Sequence, residues 1–75
     1  MSWLSAVYDR HSVAAYTLSL RVVGDPALAE RAVELAFSEI ARVTPTSVAV
    51  EAIEPTIQAA VCRFALAALR SGATR

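Results

Sequence analysis

The stretch Arg21-Val22-Val23-Gly24-Asp25-Pro26-Ala27-Leu28-Ala29-Glu30 decides the fold. Glycine adopts the left-handed backbone that ends a helix at little cost, so Gly24 reads as a stop. Asp25 followed by Pro26 reads as a start. The aspartate side chain accepts a free N–H of the first turn, and proline has its φ preset where no N–H is needed. Glu30 then falls in the early turns, where the helix dipole favours an anion. One helix ends and another begins with only Gly24-Asp25 between them. So short a join predicts an αα-hairpin, antiparallel.

Upstream, Leu4, Tyr8, His11, Ala15, Leu18 and Val22 recur at three- and four-residue steps, which predicts one helix over about 3–23. Ser2 or Ser5 can cap its start. Downstream, Leu28, Ala32, Leu35, Ala36, Glu39, Ile40 and Val43 lie along one side of a second helix, about 26–43, with Val33 and Phe37 beside them. That apolar surface is broad enough for two partners. Thr44-Pro45 ends the helix. Residues 46–54 are a short helix or loop, most simply a turn or two capped by Thr46 or Ser47, because a lone Val48–Val50 strand would have nothing to pair with. A third helix spans about 55–70, starting at Pro55, with Ile57, Val61, Phe64 and Ala68 as its stripe. Ser71-Gly72 closes it, and the remaining residues read as a frayed tail. Tyr8, Leu18, Leu35, Phe37, Ile40, Val61 and Leu69 are the expected core.

Composition agrees. Of 75 residues 56% are hydrophobic, sixteen are alanine, and only two are glycine. Alanine is the best helix former, so the predicted class is all-α: one compact three- to four-helix domain over 1–75. Seven arginines balance seven acidic residues, and there is no lysine. Zero net charge lacks the basic footprint of a typical nucleic-acid binder. The longest run free of charged residues is His11–Leu20, ten residues, against the roughly 20 a membrane span needs. No transmembrane helix or signal peptide is therefore expected, and the default location is cytoplasmic.

No catalytic site is legible, so the chain is read as a non-enzyme without cofactor or metal. His11 is the only histidine and Cys62 the only cysteine. His11 lies on an apolar stripe and reads as a packed, hydrogen-bonded residue. Cys62, between Val61 and Arg63, reads as a small core or boundary residue. Glu30 and Glu34, one turn apart, read as a solvated face. Two glycines cannot build a phosphate-binding loop. Tyr16 and Trp3 are the aromatics best placed to meet a partner.

Beyond these local signals, Val7-Tyr8-Asp9-Arg10-His11, then Ala15-Tyr16, then Leu18 through Glu30 resemble region 2 of bacterial RNA polymerase sigma factors, closest to the extracytoplasmic-function class. The pattern of that class reads LYDRY…VYxLALRxLGDxxxAEDxVQExF. The similarity covers Trp3 to Arg42 well and Pro55 to Arg70 loosely, and Arg21 to Glu30 followed by Phe37 is its most specific tract. It implies a compact helical domain whose second long helix binds the coiled coil of the polymerase clamp. It also implies a last helix that reads and melts the −10 promoter element. A complete member carries a second helical domain for the −35 element, which these residues do not include.

The departures fall at the functional positions. Arg31 stands where the family has an acid, Glu34 where it has glutamine, and Leu35 where it has a second acid. With Glu39, these are the candidate docking residues. The last helix of the family reads WLxxIARNxxxDxxR. Here Thr56 or Ile57 replaces the tryptophan, Arg63 or Phe64 the asparagine, and Ala67 or Ala68 the aspartate, while Arg70 remains. Arg63 and Arg70 are the candidate DNA-facing residues. The expected function is a sigma region 2-like domain in transcription initiation or its regulation, with diverged docking and promoter surfaces. The alternative is a helical interaction or dimerisation module that kept the fold without binding polymerase or DNA. Expected partners are polymerase core, an anti-sigma-like protein or a second copy, with DNA binding weak or absent and no membrane.

Overall fold

The computed structural model describes residues 2–73. The chain forms α1 (Trp3–Val23), α2 (Pro26–Val43), a single 3₁₀ turn (Val50–Ile53) and α3 (Glu54–Ala73). It is all-helical, with no strand among the described residues.

The helix ends follow their local chemistry. The Ser2 hydroxyl accepts the Ser5 N–H at 3.1 Å and caps α1. Gly24 ends α1 at φ 69° and returns its N–H to the Leu20 carbonyl at 2.8 Å. A Cβ there would meet no neighbour within 4 Å, so the demand for glycine is conformational rather than steric. The Asp25 carboxylate accepts the Leu28 N–H at 3.0 Å, with Pro26 at the first position of α2.

All three helices pack on one another around Val7, Val33, Phe37, Ile40, Ile53, Ile57 and Val61. Fully burying an aliphatic side chain of this size stabilises by roughly 1.5–3 kcal/mol. Much of the remaining contact is made by alanine. Ala29, Ala32, Ala36, Ala60 and Ala65 are all buried, and their small side chains let helix backbones approach closely. Ser19, also buried, has the same role where α1 meets α2, and its hydroxyl donates to the Ala29 carbonyl at 3.0 Å.

The α2–α3 connection is held by α1. The Trp3 indole N–H donates to the Val48 carbonyl at 2.7 Å. His11 Nε2–H donates to the Val50 carbonyl, also at 2.7 Å. A carbonyl only accepts, so this bond places the proton on Nε2. Ile53 then drops into the core, completely buried. The chain is thus fastened at three points within six residues and closes a tight turn, Ala52 N–H to Ala49 carbonyl, in place of a longer helix. Ala49 occupies the cap position of that turn without a side-chain bond, so neither Thr46 nor Ser47 caps it.

The expected burial of four residues is corrected. Tyr8 is 49% exposed, and Leu35 and Leu69 are each 38% exposed. Leu18 is only half-buried. In a three-helix domain each helix turns about a third of its circumference inward, and on α2 that sector is filled by Ala29, Ala32, Val33, Ala36, Phe37 and Ile40. Leu35 lies at its edge. The third helix also begins one residue earlier than Pro55 and continues through Ser71 and Gly72. Glycine inside a helix costs only about 1 kcal/mol, which is not enough to stop it.

Candidate functional site

The four candidate docking residues all lie on α2, yet they do not form one patch. Each helical residue advances 100°, so Glu34 and Leu35, adjacent in sequence, turn to different flanks. Arg31 and Leu35 face the α3 side. With Leu28, Phe64 and Ala68 they line a groove of about 670 Å³ between α2 and α3. Glu34 turns to the opposite flank and lines clefts between α1 and α2 beside Tyr8. Glu39 is half-buried and forms an ion pair with Arg63 of α3.

That ion pair joins a candidate docking residue to a candidate DNA-facing one. Both terminal guanidinium nitrogens of Arg63 donate to the Glu39 carboxylate, a two-pronged match of planar groups. The Arg63 guanidinium also lies 5.4 Å from the Phe64 ring centre, within cation–π range. Arg70, two turns on, is exposed. Neutralising phosphates needs clustered cations. On α3 one of the two arginines is already matched by a carboxylate.

A fourth cleft, about 330 Å³, lies between α1 and the start of α3, lined by His11, Leu18, Arg21, Glu54 and Gln58. His11 is 8% exposed, and its Nε2 is committed to the Val50 carbonyl. Cys62 is half-buried with a free thiol. No cluster of three or more His, Cys, Asp or Glu among the described residues is arranged to hold a metal ion.

By length and composition alone, the stretch Val50–Ser71 contains a window apolar enough to cross a membrane, a test that core helices also pass. Alanine raises the average of this stretch even where charges interrupt it. In the fold this stretch supplies Ile53, Ile57, Ala60, Val61 and Ala65 to the core.

What sequence reasoning overlooked is how the acids are distributed. Asp9, Glu30 and Glu34 all line the seam between α1 and α2. The only sequence signal was the one-turn spacing of Glu30 and Glu34. Bringing Asp9 beside them required the register of the two helices. Compared with protein-family models, curated proteins and solved structures, the chain has no match.

Proposed function

We propose that this chain is a helical protein-binding domain of the sigma region 2 type, acting in the cytoplasm in transcription initiation or its regulation. Its partner is a protein, such as an anti-sigma-like one, rather than promoter DNA. The support for the sigma-like part is the tract Arg21 to Phe37 in the sequence. The contacts between α1 and α2 also fit the antiparallel hairpin that the short Gly24-Asp25 join predicts: Tyr8 meets Phe37, and Ser19 meets Ala29.

The observation that carries the preference for protein over DNA is the Arg63–Glu39 ion pair. It offsets the charge of one of the two arginines that could meet phosphates from α3. Exposed Leu28 and Leu35 with half-buried Phe64 offer apolar surface instead. The test has two arms. A pulldown against core polymerase examines docking. Fluorescence anisotropy with single-stranded −10-like DNA examines promoter reading. The proposal expects weak or no DNA binding, and a sequence-selective, sub-micromolar complex would overturn it.

The same exposed leucines favour a second reading, a dimerisation module using the α2–α3 groove. Sedimentation of the purified domain separates the two, since only the second requires a concentration-dependent dimer.

A further inference from the structure

We propose that the groove between α2 and α3 is the interface of a two-fold dimer, in which the α2 helices of two copies pack antiparallel and centre on Leu28. This rests on the dimerisation reading of that groove and adds the register, which the charges on its wall set.

The groove, about 670 Å³, has Leu28, Leu35, Phe64 and Ala68 among its lining residues. It carries one anion and one cation, Asp25 and Arg31. The two do not pair with each other, since the one ion pair among the described residues is Arg63–Glu39. Asp25 accepts the Leu28 N–H through Oδ1, and a carboxylate has a second oxygen for a further donor. Each charge lies three residues from Leu28, Asp25 before it and Arg31 after it. At 1.5 Å per residue they stand about 9 Å apart along the helix.

That spacing makes the face its own complement. A two-fold axis at Leu28 sets each Arg31 opposite Asp25 of the second copy, and Leu28 opposite Leu28. Other registers lose the match. An axis at Arg31 sets arginine against arginine, and a parallel pair sets like charge against like at both positions. Like charges across an interface suppress such arrangements.

The surroundings suit a second copy. Zero net charge removes the overall repulsion that holds charged proteins apart. Ala27, Ala32 and Ala67 also line the groove, and their short side chains let a second helix come close. Leu28 and Leu35 are each more than a third exposed, which leaves apolar area for the contact to remove from water. The α2 wall runs from Asp25 to Leu35, about 15 Å. A contact of that length falls at the small end of specific interfaces, so the dimer is weak and forms as concentration rises. Its ion pairs lie at an exposed rim and add little affinity; they select the register.

The test is sedimentation equilibrium of the whole chain at rising concentration. The wild type should show a reversible monomer–dimer equilibrium. Arg31→Glu sets acid against acid in its homodimer and should weaken it about tenfold. Asp25→Arg sets cation against cation and should do the same. Mixing these two variants restores both opposite-charge pairs, so they should form a heterodimer about as tight as the wild-type dimer. Arg10→Glu makes the same charge change on α1, outside the groove, and should leave the dimer within about twofold. Circular dichroism verifies that each variant is folded. Asp25 also caps α2, so Asp25→Ser, which keeps a capping hydroxyl, provides a second route. Combined with Arg31→Glu, it should recover part of the lost association. A dimer that Arg31→Glu leaves as tight as wild type would overturn the register, as would a mixture no tighter than its separate components. Either result leaves the dimerisation reading standing, whereas a monomer at millimolar concentration removes both.

Discussion

Arg63 of α3 reaches across to Glu39 of α2 and binds its carboxylate through two guanidinium nitrogens. The two residues come from helices that the chain separates by a turn, and the fold makes them a unit. Side-chain exposure is 57% for Arg63 and 21% for Glu39, so solvent screens the attraction. A double-mutant cycle with Arg63→Ala and Glu39→Ala, measured by urea denaturation, should give a coupling of about 0.2–1 kcal/mol. A coupling of several kcal/mol would mean that the pair is far better shielded from water than this geometry allows.

Phe37 and Tyr8 touch edge to face, but their burial differs and so should their energetics. Phe37 is 5% exposed. Truncating it to alanine should cost about 3–5 kcal/mol, enough to threaten so small a domain. Tyr8→Ala should cost clearly less, because half of its surface is already in water and the ring contact itself contributes about 0.5–1.5 kcal/mol. Thermal unfolding of the two variants side by side checks the order, and a larger loss for Tyr8→Ala would contradict the assigned core.

The Trp3 indole anchors the α2–α3 connection through one hydrogen bond to Val48. Trp3→Phe keeps an aromatic ring and removes the donor. It should cost about 0.5–1.5 kcal/mol and accelerate amide hydrogen exchange in residues 50–53 more than in the middle of α2. Uniform acceleration across the domain would place the effect on global stability instead.

Arg31 and Leu35 are the positions where this chain departs most from the sigma pattern, and both line the α2–α3 groove. Arg31 puts a cation where the sigma pattern has an acid, and a like-charge encounter across an interface costs up to several kcal/mol. The wild-type domain should therefore fail to retain core polymerase, and Arg31→Asp with Leu35→Glu should partly restore retention. The same double change should weaken any self-association through this groove, read by sedimentation. Strong retention by the unmodified domain would return the protein to an ordinary sigma-type docking mode.

Helix identity and limits were determined locally and could be read from single residues. Ser2, Gly24, Asp25 and Pro26 act on hydrogen bonds and dihedrals within one turn of themselves, so the bounds of α1 and α2 followed from sequence. Which apolar residues become core was decided only by tertiary structure. Leu35 and Leu69 match the periodicity as well as Ile40 and Val61 do, yet a helix has flanks, and periodicity does not say how far a neighbour covers them. The buried alanines carried the missing information: where Ala29, Ala32 and Ala36 let backbones close up, the larger side chains beside them were left at the rim. The surface followed the same division. Composition determined that charges balance, seven against seven. Their separation into an arginine–glutamate bridge between α2 and α3 and an acidic seam between α1 and α2 depends on helix register, which contacts between residues distant in the chain alone establish.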